Sequence, residues 1–357
     1  MLRTTLSLSA LAMVAVLGPT APPAAAEEKT DFRVAWSIYA GWMPWGYLQE
    51  SGIMDKWAEK YGIHVEIVQI NDYVESINQY TAGSFDGVSA TNMDTLSIPA
   101  GSGVDTTALI VGDYSNGNDA IIIKGDGDLA SIKGRRVNLL ELSVSHYLLA
   151  RALDTVGLTE SDLGGVTNTS DADMVAAFQT PDVEAVVTWN PLVSTIMEDP
   201  IANEVFDSSD IPGEIIDLMV VNTETLADNP AFGKALVGAW YEVMGLMSSD
   251  TADGIAARTA MAEASGTDLP GYDAQLSTTA MFYTPDAAVS FTESPDLPQT
   301  MTNVAGFLFD KGILGTGAPS PDFVGIEYPG GLVTGDPNNI RFRYDTTYMQ
   351  MAADGAL

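Results

Sequence analysis

The residues best placed to do chemistry are aromatic and acidic, and they fall where apolar strand-like runs stop. Tyr39, Trp42 and Trp45 occupy one short loop in VAWSIYAGWMPWGYLQESGIM. Tyr73, Asn92 with Asp94, Asp113, Glu141 with Ser143 and His146, and Trp189 with Asn190 follow later runs in the same way. Three aromatics within seven residues, set on a loop rather than at a core period, call for a flat partner. Asp113 and Glu141 directly follow apolar runs and lack N-cap spacing, which makes them the preferred functional carboxylates. Asp72, Thr91, Asp94 and Asn190 can instead be helix caps, since each sits where a side-chain oxygen would accept a first-turn N–H.

None of these loops holds Lys or Arg. Helix starts around a cleft favour an anion, but an oxyanion site usually adds a basic side chain. Carboxylates and ring faces suit a small planar cation, which stacks on rings and needs acceptors for its N–H groups. Guanidinium matches that description. Urea is the neutral alternative, and Asn92, Asn190 and Ser143 would serve it. Catalysis has little to build on. There is no cysteine, His64 and His146 are the only histidines, and no nucleophile elbow, H-E-x-x-H or phosphate loop is present. No metal ligand set and no cofactor motif is expected. A hydrolase built on a carboxylate pair stays open, because among 48 acidic residues some pair will lie close in space. A structural or sensor partner of a membrane protein, with no ligand affinity, is a third reading.

The elements that must position these residues alternate in type. Strands are expected at 34–38, 65–70, 85–90, 107–112, 120–124, 136–140, 165–168, 183–188 and 215–221. Helices are expected after most of them: from Pro44 to a Gly52 stop, at 72–81 behind an Asp72/Glu75 capping box, and at 147–156, 171–179 and from Pro191. Alternation of this size predicts an α/β chain of mainly parallel strands joined by helical crossovers. The later part reads as helices at 230–247, 255–264, 285–289 and 298–311. The Gly- and Pro-rich tail, 319–357, has little periodicity.

Composition bounds the rest. A formal charge of −33 repels nucleic acid and anionic membranes, so neither is an expected partner. Residues 1–26 read as a secretory signal, with Arg3, an apolar run at 6–17 and Ala24-Ala25-Ala26 as the cleavage site. The apolar run is too short to span a bilayer. The chain is therefore expected to act free outside the cytoplasmic membrane.

Several segments, in order, carry a resemblance: VAWSIYAGWMPWGYLQESGIMDKWAEKYGIHVEIV, YTAGSFDGVSATNMDTL, IKGRRVNLLELSVSHYLLARALDTVGL and VEAVVTWNPLVS. From about Phe32 to Gly312 the chain resembles periplasmic solute-binding proteins of ABC importers, in the branch that includes taurine, alkanesulfonate and nitrate binders. The aromatic first loop and IEYPGGLVTGDPNNIRFRYDTTYMQMAADG are similar to a subgroup associated with urea carboxylase-type enzymes, many of which are thought to act on guanidine. The resemblance implies a type II binding-protein fold, with two α/β lobes closing on a ligand around a two-strand hinge. It implies a first lobe at 32–117, a second at 118–218 and a return to the first over 219–357. It also implies a monomer that delivers guanidinium or urea to a membrane permease. The absence of basic residues in the loops counts against taurine, sulfonate or nitrate.

Overall fold

The computed structural model describes residues 29–315 and 317–357, so the expected signal segment lies outside the described residues. In chain order the strands are β1 (Asp31–Trp36), β2 (His64–Gln69), β3 (Gly87–Thr91), β4 (Thr106–Tyr114), β5 (Asp119–Lys124), β6 (Arg136–Leu139) and β7 (Gly165–Asn168). They continue with β8 (Ala185–Trp189), β9 (Ala202–Asp207), β10 (Ile216–Asn222), β11 (Gly325–Glu327), β12 (Val333–Thr334) and β13 (Ile340–Tyr344). Two sheets result, with helices packed on them. The large one runs β12-β11-β13-β4-β10-β3-β1-β2 and the small one β7-β6-β8-β5-β9.

The large sheet is mainly parallel and the small one half parallel; apart from the β11–β12 hairpin, the antiparallel pairs have a topological cause. β10 lies antiparallel to β3 and β4, and β5 antiparallel to β8 and β9. Each is the first strand after the chain crosses from one lobe to the other. The two crossings run side by side. Ser115 N–H donates to Ile215 O (2.9 Å), Gly117 N–H donates to Ser208 Oγ (2.8 Å), and the Ser115 and Ser208 hydroxyls bond to each other (2.7 Å). This is the two-strand hinge. Because the sheets exchange chain at 115–118 and 208–215, β10 lies wholly in the large sheet.

Burial explains the placement. β4, TTALIVGDY, is buried through eight of its nine residues, as a strand covered on both faces must be. β1 alternates at its start and is buried from Val34 onward. The predicted caps form: Asp72 Oδ1 accepts from Glu75 N–H (2.9 Å) and Thr91 Oγ1 from Asp94 N–H (3.3 Å). Among the elements not expected are β9 and the helices Ile53–Lys60, Thr223–Asp228 and Leu269–Leu276. β9, ANEVFD, is a half-exposed edge strand with only Phe206 fully buried, so it carries no apolar run. The tail is also more ordered than its composition suggests. It adds β11, β12 and β13 beside β4 and ends in the helix Thr347–Ala353.

Candidate functional site

The carboxyl ends of β3 and β4 meet the beginning of β10 at one place. Register sets Asp217 opposite Asp113 on one side and opposite Thr91 on the other. In the small sheet, Asp119 at the start of β5 pairs with Trp189 at the end of β8. Between these two rows lies a small cavity, lined by Tyr39, Trp42, Tyr73, Thr91, Asp119, Val144, Trp189 and Asp217. Among the described residues, no Lys, Arg or His lines it.

Its rings form a connected wall. Tyr39 meets Trp42 edge-on at 5.1 Å between centroids, Trp42 meets Tyr73 at 5.6 Å, and Tyr73 meets Trp189 edge-on at 5.6 Å. The wall spans both lobes, since Trp189 belongs to the small sheet and donates its Nε1–H to Ile38 O (3.1 Å).

Two buried carboxylates, Asp119 and Asp217, line the cavity, and a third, Asp113, is buried behind Tyr39. Asp113 Oδ1 accepts from the Tyr39 hydroxyl at 3.0 Å. Asp113 Oδ2 and Asp217 Oδ2 accept from no donor among the described residues. Asp119 Oδ2 accepts from Ser115 Oγ at 2.6 Å. Like charges directly opposite on neighbouring strands repel, and burial disfavours the charged form of each. Burial pushes the Asp113 carboxyl up to about 7, with a smaller push from Asp119. Asp119 is likewise raised to about 7, first by burial. Asp217 is raised well above the usual carboxylate range by burial and then by Asp113. Asp113 and Asp217 therefore hold a proton between them near neutral pH, unless a cation takes its place.

The predicted residues separate into three groups. Tyr39, Trp42, Tyr73 and Trp189 line the cavity, and Asp113 stands behind Tyr39 against Asp217. Asp94, Ser143, Asn92 and Asn190 are buried near it but hold other parts together. Asp94 Oδ2 accepts from the Tyr73 hydroxyl (2.7 Å), the Thr91 hydroxyl (3.0 Å) and Val144 N–H (3.2 Å), and burial raises its carboxyl to about 6. Ser143 Oγ accepts from Ser145 N–H and donates to Leu140 O. Asn92 fixes the start of β10, accepting from Ile216 N–H and donating to Glu214 O. Asn190 Oδ1 accepts from the Ser194 N–H and hydroxyl.

Three predicted residues are placed elsewhere, and the expectation is corrected for them. Trp45 is core, stacked on Trp240 at 4.8 Å. Glu141 is exposed, because the chain turns outward through Leu142, whose φ is 60°. His146 is a brace, its Nε2 on Glu160 Oε1 (2.7 Å) and its Nδ1 accepting from Leu142 N–H (3.1 Å). Trp45→Ala should accordingly destabilise the fold by roughly 3–5 kcal/mol, as large-to-small core changes of aromatics do. It should leave ligand affinity nearly unchanged, whereas Trp42→Ala should weaken binding. Thermal unfolding by circular dichroism beside calorimetric titration separates the two. Equal losses of affinity would contradict the assignment of Trp45 to the core.

Sequence reasoning passed over Asp119 and Asp217. The signal was present in both cases: an acid at the head of AIIIK and an acid inside IIDLMVV, each in a run that must be buried. Among the described residues no group of three or more acids or histidines is arranged to hold a metal ion.

Two α/β lobes, two adjacent crossings and a cavity enclosed between them define the two-lobed periplasmic-binding-protein fold. The solved structures it is similar to share that architecture. One is the alkanesulfonate-binding protein SsuA from Xanthomonas axonopodis pv. citri bound to MOPS, at TM-score 0.67 and 18% identity, covering 82% of this chain and 96% of that one. Another is the periplasmic aliphatic sulphonate binding protein SsuA from Escherichia coli, at 0.63 and 19%, covering 80% and 94%. A third is the periplasmic nitrate-binding protein NrtA from Synechocystis PCC 6803, at 0.55 and 14%, covering 91% and 99%. No curated protein matches the sequence. The model of the NMT1-like family matches residues 26–262, and the chain belongs to that family.

Proposed function

We propose that this protein is the substrate-binding component of an ABC importer, acting as a monomer outside the cytoplasmic membrane. It captures guanidinium between its lobes and hands it to a permease. The observation that carries the choice of ligand is the Asp113–Asp217 pair. Two buried carboxylates stand opposite each other, and among the described residues each has an oxygen that no donor reaches and no basic side chain lines the cavity beside them. A cation with several N–H groups supplies both the charge and the donors that this arrangement lacks. The ring wall supplies faces for its plane.

The site between the lobes is small, which suits a ligand of few heavy atoms. The alkanesulfonates and nitrate named for the similar structures are anions, which this acidic lining would repel. Urea is a second reading with its own support: the proton shared by Asp113 and Asp217 is a donor that a urea oxygen could accept. A carboxylate pair also suits hydrolysis, but a cavity for a few heavy atoms, walled by both lobes, leaves a glycoside or peptide no room.

Calorimetric titration at pH 7.5 with guanidinium, urea, taurine and nitrate tests the reading. Guanidinium should bind in the micromolar range or tighter, ~8 kcal/mol or more, and the anions not at all. Binding of taurine or nitrate without a response to guanidinium would overturn it, and binding of urea alone would select the second reading.

A further inference from the structure

We infer that two carboxylates exchanged between the lobes form a latch that sets how long the protein stays closed on its ligand. The first N–H groups of a helix have no partner within it. Here two such groups are satisfied by the opposite lobe. Tyr73, first residue of the helix Tyr73–Thr81 in the large lobe, donates its backbone N–H to Asp171 Oδ1 of the small lobe at 3.2 Å. Val144, first residue of the helix Val144–Thr155 in the small lobe, donates its backbone N–H to Asp94 Oδ2 of the large lobe at 3.2 Å. Each lobe thus caps a helix of the other. Both carboxylates are buried, with Asp94 1% and Asp171 4% exposed. Both sit at a helix N-terminus, where negative charge is favoured.

Tyr73 ties this latch to the cavity. Its ring lies between Trp42 and Trp189, its hydroxyl donates to Asp94, and its backbone N–H donates to Asp171. A ligand against the ring therefore settles both halves of the exchange at once. Opening the cleft breaks the Asp94 and Asp171 contacts together, and with them the contact of Tyr73 with Trp189 and the Trp189–Ile38 bond. Asp171 does not line the cavity and makes no other side-chain bond across the cleft, so it reports on the latch alone.

The latch goes beyond the identity of the ligand, and its test has one readout that needs none. The chain is free of cysteine. Spin labels at Glu59→Cys in the large lobe and Asp126→Cys in the small lobe give the lobe–lobe distance without background labelling. Asp171→Ala should shift the ligand-free distance distribution toward the open state. It should also raise the release rate of guanidinium, followed by tryptophan fluorescence in stopped flow, about tenfold or more with the association rate nearly unchanged, the size of losing one charge-assisted hydrogen bond. Asp171→Asn, which keeps an acceptor oxygen and guards against a folding defect, should fall between. Distance distributions and release rates equal to the wild type in both variants would overturn the latch. If guanidinium changes neither heat nor distance in the wild type, the ligand assignment fails. The latch then stands or falls on the ligand-free distributions, and a wild type lacking a closed population would end it.

Discussion

Asp217→Asn is expected to raise the dissociation constant for guanidinium by about 30-fold to several thousand-fold, the range of 2–5 kcal/mol for removing one partner of a buried, hydrogen-bonded charge pair. The change keeps the shape of the side chain and removes its charge. It also places an amide donor beside Asp113 Oδ2, which in the native protein accepts from no donor. The carboxylate that should hold the ligand is then satisfied internally. Two opposite effects from one substitution make the result hard to mistake for misfolding. Ligand affinity should collapse while the ligand-free protein melts at a higher temperature, because the like-charge opposition of Asp113 and Asp217 across β4 and β10 has been removed. Calorimetry gives the first quantity and differential scanning calorimetry the second. A dissociation constant within about threefold of the wild type would sink the cation site, since a charge change at a ligand carboxylate cannot cost less than a solvent-exposed pair does.

The second large effect is on pH. Asp113 and Asp119 titrate near 7 in the folded, ligand-free protein, raised by burial, and Asp217 well above the usual carboxylate range. In the unfolded chain an Asp titrates near ~3.9. Raised folded values mean that these groups favour the folded state fully below about pH 4. That contribution is lost as pH rises through about 7. The ligand-free melting temperature should therefore fall between pH 5 and 8. Binding runs the other way. Guanidinium keeps its charge throughout this range and needs the acids ionised, so its affinity should rise from pH 5 to 8, with protons released on binding. Because Asp113 and Asp217 are coupled, the release belongs to the pair rather than to either residue. Titrations in two buffers of different ionisation enthalpy count the protons. A dissociation constant flat across pH 5–8 would mean that these acids do not face the ligand.

How much of this was legible in the sequence differs between fold and site. Strands such as β4 and β5 announce themselves as apolar, β-branched runs, and the helix starts at Asp72 and Thr91 through their acid three positions on. β9 is half-exposed and the tail strands β11 and β12 are only three and two residues long, so their positions are set by sheet neighbours rather than by their own pattern. The site depends on register, which local pattern does not contain. Asp113 was visible as an acid ending an apolar run. That Asp217 stands opposite it follows only from the antiparallel pairing of β4 with a strand that has travelled through the other lobe. Trp42 and Trp45 show the same limit at short range. Three residues apart, they would share a helix face, but Trp42 closes the short 3₁₀ turn Ala40–Trp42 and Trp45 lies inside the helix Met43–Glu50. One ring therefore faces the cavity and the other the core. Glu141 looked like Asp113 in sequence and differs because its chain turns out to solvent at Leu142.

The tail strands carry a consequence in time. The small sheet draws all its strands from one continuous stretch, Asp119 to Asp207, and can assemble as soon as that stretch exists. The large sheet cannot, because β4 waits for β10 on one edge and for β13, near the end of the chain, on the other. Pairing strands so distant in sequence is slow, since the loop must close before any contact rewards it. The half of the protein that carries Asp113 and Asp217 thus finishes after the small sheet, and its floor exists only once the chain has been made through β13.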